Sequence, residues 1–171
     1  ISTYVPAGPL VPSLNTFWKY IHVTSIIFAA GFFIVGAAAS ALYLFKNRAE
    51  TKGAESGLLA RFPVSGKIDQ ISFIAIGIGF PLWTFGTLIT GPIWAHYAWG
   101  RYWAWDPKEV WALVTWIVYA GYLHARVTAG WKGRRAAWIG LVGFGTFLFS
   151  YYIVNILSSQ LGIISMHTYA K

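Results

Sequence analysis

The sequence predicts an all-α integral membrane protein of four transmembrane helices, with an extracytoplasmic Trp-rich loop between helices 2 and 3. Three observations predict it. Of the 171 residues only 11% are charged and 57% are hydrophobic, whereas a soluble domain carries about 25% charged residues. Four apolar segments reach or approach the roughly 20 residues that a spanning helix needs. Nine of the thirteen Lys and Arg residues fall in two connections, the pattern that the positive-inside rule assigns to the cytoplasmic side.

The elements follow in order along a single membrane-embedded helical domain, residues 1–171. Helix 1 is expected over about 17–45, with Lys19 its one charge. Helix 2 is expected over about 68–94, uncharged after Asp69. It carries Gly77, Gly79, Gly86 and Gly91, small residues that let helices approach closely. Pro81 predicts a bend in it. Helix 3 is expected over about 107–125, and its start is legible. Asp106 is an N-cap, Pro107 occupies the first turn, and Glu109 stands three residues after the cap. Asp106 and Glu109 are therefore read as capping residues and not as a catalytic carboxylate pair. Helix 4 is expected over about 136–157. The chain opens on Ile1 with no signal-peptide pattern, as expected of a mature product or of a portion of a longer protein.

The basic connections are Lys46 to Lys67 and Arg126 to Arg135. If four helices alternate, both lie in the cytoplasm, and the N-terminal stretch, the Trp-rich loop and the C-terminal tail face outward. The net charge of +8 is then a topology signal. Its basic residues flank apolar spans and do not cover one face, so no nucleic acid is expected as a partner; the lipid bilayer is. The sequence has no Cys, which excludes an internal disulfide and a thiol relay.

The loop, residues 94–106, reads WAHYAWGRYWAWD and holds six aromatic residues, four of them Trp. Indoles set so closely make a broad apolar surface with N–H groups at its edges. Such a surface suits a large planar ligand. Two histidines reach the same face by topology: His22, one turn into helix 1, and His167, in the tail. Each alone reads as an interfacial polar residue before it reads as a ligand. As a pair flanking the aromatic run they are candidates for the axial ligands of a haem iron. His124, near the inner end of helix 3, is a candidate ligand of an inner haem or a His hydrogen-bonded at the interface. No second inner His completes a pair. His96 reads as structural. Trp99, Trp103 and Trp105 are expected against the porphyrin face. Arg101 and Lys108 are expected to pair with propionates or with lipid headgroups. A zinc site is excluded by the absence of Cys and of an HExxH pattern.

The segment WGRYWAWDPKEVWALVTWIVYAGYLHAR, Trp99 to Arg126, resembles the tryptophan-rich WWD signature of haem-handling membrane proteins. The DPKEVWAL continuation and the YLHAR ending are most similar to the CcsA (ResC-like) branch of cytochrome c biogenesis. FWKYIHV around His22 and MHTYA around His167 extend the likeness over most of the chain. The resemblance implies that His22 and His167 hold haem b beside the Trp-rich loop and that His124 is the transmembrane His of the helix after it. It also implies a partner of the CcsB/ResB type, with which haem is exported and attached to the CXXCH thiols of apocytochrome c, as a subunit of a cytochrome c synthase (haem lyase). A bacterial plasma membrane or a thylakoid membrane is the implied location. Relatives carry a longer N-terminal half, so the likeness is to a C-terminal portion. They also tend to show Asn-Glu where this chain has His96-Tyr97. The residues alone leave open a haem-b electron-transfer subunit of a respiratory complex, and an assembly subunit without haem.

Overall fold

The computed structural model describes residues 16–53 and 57–153, and all their regular structure is helical. α1, Phe17–Thr51, starts where Thr16 accepts a hydrogen bond from the Lys19 amide. It runs beyond the expected end near residue 45 and buries Lys46 instead of placing it in a connection. The charge is tolerated because it is satisfied. Lys46 Nζ donates to Leu59 O at 3.0 Å and stands 4.0 Å from Glu50. Glu50 in turn accepts from the Ser65 amide at 2.8 Å, which ties the end of α1 to the start of the next long helix.

After the short α2, Gly57–Ala60, comes α3, Ser65–Thr84. It passes without interruption into a π-helical segment, Phe85–Thr90, and then α4, Gly91–Trp99. The second helix is therefore continuous over Ser65–Trp99, 35 residues, and does not stop near residue 94. The expected loop 94–106 is corrected accordingly. Its first six residues are helix, and the irregular connection begins at Gly100, whose φ of 73° ends α4 in the left-handed region. Pro81 lies within α3 without breaking it, and the backbone widens into the π segment four residues later. α5, Pro107–Val127, carries the expected capping box at Asp106 and Glu109. α6, Arg134–Leu148, starts two residues earlier than expected and continues into a second π turn, Phe149–Ile153; the rest of the expected helix 4 lies outside the described residues. α1 and the Ser65–Trp99 helix are long and apolar enough to cross a membrane.

α1 lies along α3, and α6 packs on both α1 and α5. At the centre Phe33 is fully buried, stacked on Tyr119 with ring centroids 4.1 Å apart and flanked by Trp83 and Phe147. Glycine permits the closest approaches. A Cβ on Gly143 would stand 2.7 Å from the Tyr119 ring. Gly143→Ala is therefore expected to destabilise the bundle by about 1–3 kcal/mol through overpacking. Gly145, with nothing within 4 Å of its Cβ position, is the control. Its Ala variant should survive heating of the detergent-solubilised protein as well as the parent does.

One end of the bundle is held by a buried ion pair. Arg126 Nη1, in the last turn of α5, lies 2.9 and 2.8 Å from the two carboxylate oxygens of Asp69 in α3. The Gly133 amide donates to the same carboxylate at 3.1 Å, and the guanidinium lies over the Phe73 ring at 4.7 Å. The two side chains are only 6% and 12% exposed.

Candidate functional site

The opposite end holds an aromatic cavity of about 380 Å³, within the range of small-molecule sites. The first helix brings His22 and Ile26 to it, α3 brings Trp83, and α4 brings Trp94. The connection supplies Tyr102 and Trp103, and the first turn of α5 supplies Lys108 and Glu109. Trp83 Nε1 donates to Ala112 O at 3.2 Å, which joins α3 to α5 beneath it.

The placement of His22 depends on the π segment. A π turn shifts the backbone bond by one residue, and the Gly91 amide donates to Gly86 O. The Thr90 hydroxyl also donates to Gly86 O at 3.0 Å. His22 Nδ1 lies 2.8 Å from the same oxygen. A carbonyl only accepts, so Nδ1 carries the proton and Nε2 of the neutral ring carries the lone pair. A hydrogen bond on one ring nitrogen that orients the other is the arrangement that metal-binding histidines use. The His22 ring also stacks on Trp94, with centroids 5.4 Å apart and planes inclined by 23°. Close approach needs glycine here. A Cβ on Gly91 would meet Gly86 O at 3.2 Å and the His22 ring at 3.3 Å.

Among the described residues two buried side-chain polar atoms have no hydrogen-bond partner, Trp103 Nε1 and Tyr119 Oη. Tyr119 belongs to the core. Trp103 lines the cavity, so its indole N–H is a donor that a ligand's polar edge would satisfy. A cavity with mainly apolar walls, an oriented imidazole, an unmet donor and the cationic Lys108 fits a flat apolar molecule carrying a metal and anionic edge groups. No group of three metal-ligating side chains occurs among the described residues.

The sequence-expected residues divide. His22, Trp103 and Lys108 line the cavity. Trp99 does not; it stands edge-on to Trp94 at 5.0 Å. Trp105 does not either. It is 70% exposed and meets Trp103 edge-on at 6.0 Å. Arg101 is exposed and does not line the cavity, although its neighbours Tyr102 and Trp103 do. His124 lies at the other end of α5, exposed, 3.4 Å from the Thr128 hydroxyl. His96 is exposed and stacked on Tyr102 at 4.3 Å. His167 lies outside the described residues. Trp94, at 5% exposure, is the indole that sequence reasoning passed over. Its helical placement follows from the π segment carrying the second helix into α4, which the residue pattern of 94–106 does not signal.

Glu109 sets the shape of the connection. Its Oε2 accepts from the amides of Ala104 and Asp106, at 2.8 and 3.2 Å. These amides flank Trp105, which has a φ of 57°, a region rare for bulky residues. Glu109→Ala should therefore release the Trp-rich turn and cost about 1–2 kcal/mol. A lower midpoint of thermal unfolding, with faster proteolysis within residues 100–106, is the expected readout.

Comparison with known proteins shows the family. A family model described as "Cytochrome C assembly protein" matches residues 1–162. The cytochrome c biogenesis protein CcsA of Guillardia theta is 41% identical over 170 aligned residues, covering 91% of this chain and 56% of its own. That of Chlamydomonas reinhardtii is 42% identical, covering 91% and 42%. That of Synechococcus elongatus is 36% identical, covering 91% and 60%. The chain thus spans about half the length of these curated relatives. With a matched model over nearly all its residues, it belongs to the cytochrome c assembly protein family.

Proposed function

We propose that this chain is the haem-handling part of a cytochrome c biogenesis protein, with haem b as cargo seated in the aromatic cavity. The observation that carries the reading is the oriented His22 ring, held by Gly86 O and Trp94 at a cavity with an unmet indole donor. His22 Nε2 is the proposed axial ligand, and His167 the second. Trp94 and Trp103 provide the apolar faces, and Lys108 pairs with a propionate. Four spans are proposed: α1, Ser65–Trp99, α5, and α6 with its continuation. The Asp69–Arg126 end faces the cytoplasm, in keeping with its basic connections, and the cavity faces outward. His124, at the inner end, is assigned to an inner haem site whose remaining parts belong to other elements.

With a CcsB/ResB-type partner, the chain would present haem to the CXXCH thiols of apocytochrome c. Each thiol S–H adds across a vinyl C=C, forming one C–S and one C–H bond with no net electron transfer. The protein's contribution to this step is placement, worth several kcal/mol when the reacting groups are held well. The test is haem retention by the purified chain. A Soret band is expected after haem is added to the detergent-solubilised protein. Trp103→Phe should raise the apparent Kd about fivefold, in line with loss of one hydrogen bond, without altering membrane insertion. A parent protein that shows no Soret band would end the proposal.

A further inference from the structure

A second concavity, of about 640 Å³, lies between the last turns of α1 and the first turns of α6. It is amphipathic along its length, for a helical reason. Ala41, Leu44, Phe45, Arg48 and Lys52 recur at three- and four-residue spacing and share one face of α1, and Arg134, Trp138 and Leu141 share one face of α6. The two helices run in opposite directions, so Arg48 and Lys52 meet Arg134 at one end. Leu44 and Phe45 meet Trp138 and Leu141 towards the other. Seven residues separate Ala41 from Arg48, a rise of about 10 Å.

The three cations are exposed, and no acidic side chain lines the groove. All four carboxylates among the described residues are committed elsewhere. Glu50 holds Ser65, Asp69 holds Arg126, and Asp106 and Glu109 form the capping box. The cationic end therefore has no internal counter-charge among the described residues. The apolar end exposes Phe45 and Trp138, at 67% and 53%.

We infer that this groove binds an anionic phospholipid, its phosphate on Arg48, Lys52 and Arg134 and one acyl chain along Leu44, Phe45, Trp138 and Leu141. A free phosphate would use only the cationic end. A neutral lipid would use only the apolar end. The two ends lie in the order that a phospholipid presents, with the charge at the interface and hydrocarbon towards the bilayer centre. The inference rests on the proposed membrane crossing of α1 and α6.

The experiment uses the full chain in detergent with phosphatidylglycerol brominated in its acyl chains. Quenching of tryptophan fluorescence is expected, and the part that disappears in Trp138→Phe reports the groove. R48Q/K52Q/R134Q should weaken that component roughly tenfold. The charge-preserving R48K/R134K should stay within about twofold, which guards against a folding artefact, and R61Q/K67Q/K132Q should match the parent. Equal quenching by brominated phosphatidylcholine, or an unaffected triple glutamine variant, overturns the inference. Displacement of the lipid by millimolar inorganic phosphate overturns the commitment to lipid. Alkaline carbonate extraction separates the two readings. Protein released from membranes defeats the spanning assignment and the groove with it; protein retained without a lipid preference defeats the groove alone.

Discussion

Replacing Arg126 with Leu is expected to produce the largest loss of stability of any single substitution at the Asp69–Arg126 end of the bundle. The Asp69 carboxylate would stay buried with the Gly133 amide as a donor and without its cation. Breaking a buried pair by removing one partner costs about 3–5 kcal/mol, because the remaining charge is desolvated and uncompensated. The pair joins α3 to α5 across 57 residues of sequence, and through Gly133 it also fixes the entry to α6. The fraction of monodisperse protein after a heating series is the measurement. The double variant Asp69→Asn, Arg126→Leu should recover part of the loss, since neither residue then leaves a buried charge. A single variant as heat-resistant as the parent would show that the pair contributes nothing net.

His22→Ala is expected to have the largest effect on ligand retention. Losing an outer-shell partner of a metal ligand already costs roughly 10–100-fold, and His22 is the proposed ligand itself. Haem affinity should fall by more than that range, with loss of the Soret band at micromolar haem. The effect should be chemical and not merely structural. Added imidazole should restore part of the band, because the cavity left at Trp94 and Gly91 admits a ring of the same size. His96→Ala removes an exposed ring that stacks on Tyr102 and stands edge-on to Tyr97, so its haem retention should match the parent's. Equal retention by His22→Ala and the parent would remove His22 from the iron.

Much of the architecture is legible without coordinates because it is encoded locally. Thirty-five residues with few charges make α1, and Asp106-Pro107-Lys108-Glu109 starts α5 through bonds that span two or three residues. Element ends are less legible. Lys46 looks like the end of a span, because a lone ammonium in an apolar helix is costly. Its partner, Leu59 O, lies thirteen residues away, and the pattern around Lys46 holds no sign of it. Trp94, likewise, reads as the start of a loop because aromatic residues fit both an interface and a helix. The continuity of α3 through the π segment into α4 decides for helix.

Composition and periodicity by themselves determined an all-helical chain with long apolar segments, the cap that begins α5, and the aromatic run beside a histidine. Which indoles reach the cavity was decided by tertiary structure alone. So were the orientation of His22, through a carbonyl 64 residues away, and the burial of Asp69 against Arg126. The reason is range. Helix periodicity and capping act within a turn or two. A hydrogen bond or ion pair between distant residues exists only once the helices that carry them have packed, and many pairings of the same residue types would satisfy the same local pattern.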